Sequence, residues 1–247
     1  MRYLIFSDIH SNLEALEAML GWSKRKRIDK YVMLGDLVGY AASPNQVVNL
    51  VRKLRPLEII RGNHDKVAAG VESGEDFNAA ALRAATWTNG KLTKPNLGFL
   101  HDLSKGPRRV DEQFVICHGT PFDEDAYMFS EYDAMQAFAS FEGEICFFGH
   151  THIPRIYVQN GSGGVGFAPI LGDESRIELQ KGYRYLINPG SVGQPRDRNP
   201  KISFAVFDSE KRTFTVYRRP YSIERAQSKI ERAALPQVLS ARLSVGV

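Results

Sequence analysis

The fold is decided by a short apolar run that ends in polar side chains: Tyr3-Leu4-Ile5-Phe6, then Ser7, then Asp8-Ile9-His10. Four consecutive apolar residues of this type predict a buried strand. Asp8 and His10 are two positions apart, so in extended backbone both side chains project to the same side. In open α/β sheets, ligands bind at the carboxyl ends of the strands. The stretch therefore predicts a strand that delivers a pair of polar side chains to such an edge.

Four further strand-like segments end in the same way. They are followed by Gly35-Asp36, Gly62-Asn63-His64-Asp65, His118-Gly119 and Gly149-His150-Thr151-His152. A glycine beside the polar residue lets the backbone turn tightly and come close to a bound ion. Carboxylate, imidazole and amide donors without thiolate suit Mn, Fe, Zn or Ni. Seven such ligands are too many for one ion with an open position and about right for two.

Length and composition indicate an ordinary globular domain. The chain has 247 residues, of which 43% are hydrophobic and 24% charged, and this predicts a single domain over 1–235 followed by a tail over 236–247. A net charge of +4 is weak evidence for nucleic-acid or membrane binding. The two cysteines, Cys117 and Cys146, form no disulfide framework, and no apolar run approaches the ~18 residues of a membrane span. We expect a cytoplasmic, reduced protein that does not enter membranes.

Helices and strands alternate in the first half of the sequence. A capping box at Ser11-Asn12-Leu13-Glu14 predicts a helix to about residue 26. Ser43 before Pro44 predicts a second helix, to about residue 54. A further capping box at Ser130 and Asp133 predicts a helix over 131–141, and residues 77–90 also show a helical pattern.

The later part is dominated by short strands. Strand-like runs lie at 114–117, 145–148, 155–159, 177–179, 183–187, 202–207 and 213–218. A last helix starts at Ser222 and is ended by Pro236, and the glycine-rich residues 161–166 predict a flexible loop. Two packed sheets flanked by helices accommodate this order.

Taken together, the five motifs resemble the calcineurin-like metallophosphoesterase superfamily, in which D-x-H, G-D, G-N-H-D, H-G and G-H-T-H occur in this order. Residues 188–196, which read Asn-Pro-Gly-Ser-Val-Gly-Gln-Pro-Arg, further resemble its smaller bacterial and archaeal members. The resemblance implies an α/β fold, a four-layer αββα sandwich of two mixed sheets flanked by helices. Some relatives have Gly-Pro after the Gly-Tyr pair, whereas this chain has Ala41-Ala42, close to the expected substrate mouth.

The resemblance also implies roles for the matching residues and a pair of divalent transition-metal ions, manganese first, with iron, zinc or nickel as alternatives. One ion would take Asp8, His10, Asp36 and His152. The other would take Asp36, Asn63, His118 and His150, with Asp36 bridging. His64 would be the acid near the leaving group, and Asp65 would orient it.

The chemistry of these residues predicts a dinuclear phosphoesterase that works by direct attack of metal-bound hydroxide. A nearby histidinium would protonate the leaving group. We expect a small phosphodiester or nucleotide as substrate, with dinucleoside polyphosphates among the candidates. A metal-dependent DNA or RNA nuclease and a non-catalytic scaffold of the same fold are the alternatives, and assembly into a homo-oligomer stays open.

Two further residues are candidates for substrate binding. The guanidinium of Arg196 could bind phosphate oxygens bidentately, or it could form an ordinary surface salt bridge. Asn12, two residues beyond His10, could contact phosphate, or it could cap the helix that begins there.

Overall fold

Two six-stranded mixed sheets pack face to face in a computed structural model that describes residues 1–55 and 57–247. The strands are β1 (Arg2–Phe6), β2 (Lys30–Met33), β3 (Leu57–Ile59), β4 (Arg108–Val110), β5 (Phe114–Ile116), β6 (Ile145–Phe147), β7 (Arg155–Gln159), β8 (Val165–Pro169), β9 (Glu174–Glu178), β10 (Arg184–Asn188), β11 (Ile202–Asp208) and β12 (Thr213–Arg219). The helices are α1 (Leu13–Ser23), α2 (Pro44–Val51), α3 (Asn63–Ala69), α4 (Ala79–Lys91), α5 (Lys94–His101), α6 (Glu131–Ala139), α7 (Ile223–Arg232) and α8 (Gln237–Val245).

The order of the strands explains why the motifs meet. The first sheet runs β3-β2-β1-β11-β12-β9, with β1, β2 and β3 parallel. The second runs β4-β5-β6-β10-β7-β8, with β5, β6 and β10 parallel. Each of the five motifs follows a strand of one of these two parallel groups. Parallel strands end at the same edge of a sheet, so all five motifs lie at carboxyl edges.

Three apolar layers separate the sheets and the helices. Between the sheets, aromatic side chains such as Tyr3, Phe114 and Phe147 pack edge to face, with ring centroids 5.0 Å apart. Outside the first sheet, Trp22 of α1 packs on Phe204 of β11 at 4.9 Å. Outside the second sheet, Phe138 of α6 belongs to a separate buried cluster. The layers therefore follow the order α-β-β-α, which confirms the predicted fold.

Local structure differs from the sequence prediction at the first helix. Ser11 is not the cap, because it has a positive φ of 57° and lies in the loop that precedes the helix. Asn12 is the N-cap, and its side-chain oxygen accepts a hydrogen bond from the amide of Ala15 at 3.2 Å. The helix ends at Ser23, three residues earlier than predicted. The capping box at Ser130 and Asp133 is present as predicted.

Two elements form in segments where no strand or helix is predicted. Strand β8 takes up the end of the glycine-rich stretch that was predicted as a loop. Helix α8 lies within residues 236–247, the predicted tail, and packs on α7 through Leu239 and Leu243. Among the described residues, the helices are all too short or too polar to cross a bilayer.

Candidate metal centre

The ligand-bearing loops are held in an uncommon backbone conformation. Asp8, His10, Asp36, His150 and His152 all have positive φ, between 49° and 65°. Side chains other than glycine rarely adopt this region, and its cost is tolerated where a functional site requires it. Backbone hydrogen bonds hold the loops to one another: the amide of Asp8 donates to Gly35, and the amide of His10 donates to the carbonyl of Asp36.

One group of donor atoms comes from Asp8, His10, Asp36 and His152, which are all buried. Nε2 of His10 lies 3.5 Å from a carboxylate oxygen of Asp36. Nε2 of His152 lies 3.4 Å from a carboxylate oxygen of Asp8. The two Nε2 atoms are 3.1 Å apart. Four potential ligand atoms therefore surround one small volume.

A second group shares Asp36 with the first and adds His118 and His150. Nε2 of His118 is 3.4 Å from Asp36, 3.3 Å from Oδ1 of Asn63 and 3.2 Å from Nδ1 of His150. The structure thus brings all seven predicted ligands together in two adjacent groups, with Asp36 common to both.

The orientation of the histidines shows that the first group fits a cation. Nδ1 of His10 lies 3.0 Å from the carbonyl of Val38, and Nδ1 of His152 lies 2.6 Å from the carbonyl of Gln194. A ring that donates from Nδ1 and is neutral has a lone pair on Nε2. Two such lone pairs face each other, and the buried Oδ2 atoms of Asp8 and Asp36 have no hydrogen-bond partner among the described residues. These acceptor atoms point into one volume and lack a hydrogen-bond donor, and a metal ion in that volume would satisfy them.

The charges of the site favour the same conclusion. Burial raises the pKa of Asp8 to about 7. Burial also opposes charging of His118, but the carboxylates of Asp36 and Asp8 outweigh it and raise the pKa of His118 to about 10. Acceptor atoms therefore surround Nε2 of His118, and they stabilise positive charge at that position.

His64 lies beside the candidate ligands without being one of them. Its ring packs against the rings of His10, Tyr40 and Phe77, with centroids 4.3 to 4.8 Å apart. Its backbone amide donates to Oδ1 of Asp36 at 2.9 Å. Burial lowers the pKa of His64 to about 4, so the ring is neutral at pH 7 until a nearby anion raises that pKa.

Asp65 lies next to His64 in sequence, but its carboxylate accepts hydrogen bonds from the backbone amides of Val38 and Gly62, each at 3.1 Å. Nδ1 of His64 is buried and has no partner among the described residues. The structure therefore does not bring the Asp65 carboxylate to the His64 ring. Asp65 joins the start of α3 to the loop that carries Asp36.

The two predicted substrate-binding residues lie in different surroundings. The amide nitrogen of Asn12 donates to the carbonyl of Gly193 at 2.8 Å, and its oxygen caps α1, so both polar atoms are used within the protein. Arg196 is partly buried, and its Nη2 donates to the hydroxyl of Tyr40 and to Oε1 of Gln194. These two acceptors are neutral, which distinguishes Arg196 from an ordinary surface salt bridge.

A recess of about 500 Å³ opens beside the ligands. Its lining includes Tyr40, His64, Phe77, Tyr127 and His150. The ring of Tyr127 stacks on that of His150 at 3.9 Å, a contact that sequence analysis missed because no motif surrounds Tyr127. The carbonyls that orient the histidines were also missed, since every residue carries one and no sequence signal marks them.

The carboxylates of an acidic cluster near the recess form ion pairs with one lysine. Glu72, Glu124 and Asp125 each have a carboxylate oxygen within 3.2 Å of Nζ of Lys66, whose side chain is fully buried. The cluster is therefore an ion-pair network that ties α3 to two loops around the recess.

Comparison with known proteins agrees with the site. The sequence profile described as "Calcineurin-like phosphoesterase superfamily domain" matches residues 1–212. A metallophosphoesterase of Sphaerobacter thermophilus is 38% identical, with 100% of this chain and 99% of that chain covered, and its crystal structure gives a TM-score of 0.87. An uncharacterized protein of Methanocaldococcus jannaschii is 37% identical over 98% of this chain and 97% of its own. A hypothetical protein of Pyrococcus horikoshii shares the fold, with a TM-score of 0.81 at 18% identity, over 100% of this chain and 98% of that one.

Fold, ligand groups and relatives together define a metal-dependent phosphoesterase, a hydrolase. The chain belongs to the calcineurin-like phosphoesterase superfamily, as its five motifs predicted.

Proposed function

We propose that the protein hydrolyses small phosphodiesters or nucleotides at a centre of two divalent transition-metal ions. The observation that carries this proposal is the pair of donor groups that share Asp36. In the proposal, Asp8, His10 and His152 complete one group, and Asn63, His118 and His150 complete the other. Carboxylate, imidazole and amide donors suit manganese, iron, zinc and nickel. Manganese is the first ion to test, and the other three are the alternatives.

Two such ions, when bound, would supply hydroxide at neutral pH and would bind the oxygens of a phosphoryl group. The protein side chains near the site support a reaction without a covalent phospho-enzyme. Ser7, Ser11 and Ser191 are at most 1% exposed, and both cysteines are buried. The hydroxyl of Ser191 is used within the protein, since it donates to the carbonyl of Asp8 at 2.9 Å, and the two thiols lie against each other with their sulfur atoms 3.6 Å apart.

His64 is proposed as the proton donor to the leaving group. Its Nδ1 is buried against Gly39, so Nε2 is the nitrogen left to meet a substrate. A phosphate anion beside the ring raises the pKa of His64 and keeps a proton on Nε2. That proton is then available to an alkoxide as it leaves.

The recess supports a substrate of nucleotide size. A volume of about 500 Å³ lies within the range of small-molecule sites. Tyr127 and Phe77 line the recess, so a base bound there can pack against aromatic side chains. The net charge of +4 attracts long nucleic acid only weakly. Hydrolysis of small substrates is therefore favoured over hydrolysis of long DNA or RNA.

Hydrolysis of bis-p-nitrophenyl phosphate by metal-stripped protein reloaded with manganese tests the proposal. We expect metal-dependent turnover that falls at least 100-fold in His64→Ala, within the usual range for loss of a general acid. His101→Ala is the matched control, because His101 is exposed on α5 and belongs to none of the motifs. Absence of turnover with Mn, Fe, Zn and Ni would contradict the proposal and favour a scaffold. A steep fall of activity with salt on long DNA, together with poor turnover of small esters, would instead indicate a nuclease.

A further inference from the structure

Two arginines converge on one tyrosine at the edge of the metal-ligand groups. The guanidinium carbons of Arg196 and Arg242 lie 5.8 and 5.9 Å from the centroid of the Tyr40 ring. That ring lies 4.6 Å from the ring of His10. Arg196 follows the ligand loops, whereas Arg242 comes from α8, beyond the residues 1–212 that the superfamily profile matches.

The hydrogen bonds of this pair leave most of its donors unused. Nη2 of Arg196 and Nη1 of Arg242 both donate to Oε1 of Gln194, at 3.3 Å each, and Arg196 also donates to the hydroxyl of Tyr40. Nε of each arginine is buried and has no partner among the described residues. Over that same part of the chain, neither guanidinium is paired with a carboxylate.

Such an arrangement costs stability unless an anion joins it. Two like charges that share one neutral acceptor repel each other, and burial together with Arg196 lowers the pKa of Arg242. Packing over Tyr40 accounts for where the guanidinium groups lie, but not for buried N–H groups that lack acceptors. Guanidinium forks match the oxygens of a phosphate group, and an anion between the two side chains would accept hydrogen bonds from their unused N–H groups and offset the repulsion of the two charges.

Helix α8 is firmly held, so Arg242 is presented in a fixed position. Ser240 donates to Glu231 of α7 at 2.8 Å, and its carbonyl accepts from Gln227 at 2.9 Å. Leu239 and Leu243 are buried in the same cluster as Tyr40. A side chain that is ordered before binding loses less entropy when a ligand arrives.

We propose that Arg196 and Arg242 form an anion subsite that binds a second phosphate group of the substrate, beyond the one that is hydrolysed. This inference rests on the proposed function and narrows its substrates to nucleotides that carry at least two phosphates. It gives Arg242, which no motif indicated, a role in specificity.

Binding of inorganic phosphate to metal-stripped protein, measured by titration calorimetry, tests the subsite without any hydrolysis. We expect about tenfold weaker binding in Arg196→Gln and in Arg242→Gln, because each loses charge-assisted hydrogen bonds. Arg232→Gln removes one positive charge from the exposed face of α7 and is the matched control, with unchanged affinity expected. Equal affinity in wild type and Arg242→Gln, or no measurable phosphate binding by the wild type, would overturn the proposal.

Arg242→Lys covers the case in which Arg242→Gln does not fold. It keeps the charge but not the planar fork, so we expect weaker phosphate binding than in the wild type with an unchanged melting temperature. In manganese-loaded protein, the arginine variants should raise KM for a dinucleoside polyphosphate about tenfold more than KM for bis-p-nitrophenyl phosphate. An equal rise for both substrates would contradict assignment to a second phosphate. Because the calorimetry is done without metal, loss of phosphate binding at the subsite can be distinguished from absence of metal-dependent hydrolysis.

Discussion

Gly39 passes so close to the ring of His64 that a methyl group on its Cα would lie 2.5 Å from Nδ1 of the imidazole. Gly39 also has a φ of +94°, which side chains rarely adopt. The position of the proposed acid is therefore set by a residue that has no side chain.

Gly39→Ala should accordingly move the His64 ring and lower kcat at least tenfold. Gly70→Ala is the control, because Gly70 has a φ of +75° and nothing within 4 Å of the added methyl group. Gly70→Ala should lose about 1–2 kcal/mol of unfolding free energy, the cost of a left-handed residue with a side chain. Gly39→Ala should lose more than Gly70→Ala, because the added methyl group also meets the His64 ring. Steady-state kinetics and urea unfolding check this. Equal activity in the two variants would show that the contact with His64 does not matter.

Asp36 belongs to both groups of candidate ligands, so in the proposed two-ion centre its replacement should affect both ions. Asp36→Asn keeps the shape but removes the charge, and we expect the bound metal to fall from two ions per chain to one or none. Elemental analysis after dialysis against manganese measures this directly. Asp102→Asn, at an exposed position, should retain the wild-type content. Two tightly bound ions in Asp36→Asn would contradict a shared role for Asp36.

Tyr127 stacks on His150 and lines the recess. Tyr127→Ala should raise KM for a nucleotide substrate about fivefold or more, because a base loses its stacking partner. The KM for bis-p-nitrophenyl phosphate should rise less. Tyr132→Ala removes a more exposed ring on α6, outside the recess lining, and should leave both constants unchanged. An unchanged KM for the nucleotide in Tyr127→Ala would show that the base of the substrate does not stack on Tyr127.

Asp111 links the two sheets, since its carboxylate accepts from Lys30 at 2.9 Å and from the hydroxyl of Tyr3 at 3.1 Å. The hydrogen bond from Lys30 holds the pKa of Asp111 below its usual value. A carboxyl group whose pKa is lowered by folding stabilises the protein at pH values above its unfolded-state pKa of about 3.9. That stabilisation is lost as the pH falls through the folded-state pKa.

Asp111→Asn should therefore be less stable than the wild type at pH 7, by up to about 1 kcal/mol. The difference should shrink as the pH falls below about 4. Urea unfolding across this pH range measures it. Glu178→Gln, at an exposed position, is the control and should show no such pH-dependent difference. A difference that stays constant with pH would show that the Asp111 charge is not its cause.

The sequence predicted the ligand-bearing strand ends because each combines an apolar run with a glycine and a polar donor, as at Asp36 and His150. It missed β4 and β8, whose residues are mostly exposed and lack an alternating pattern. Helix α3 was missed because it has only seven residues and starts inside the Gly62-Asn63-His64-Asp65 motif. Contacts made across the fold, such as Arg242 on Tyr40, depend on tertiary packing that no local pattern encodes.

The candidate ligands are divided between the two halves of the sandwich: Asp8, Asp36 and Asn63 follow strands of the first sheet, whereas His118 and His150 follow strands of the second. Ions bound between these residues would connect the two sheets across their interface. Any opening of that interface would disperse the ligands, so occupancy of the centre and cohesion of the two sheets would rise and fall together.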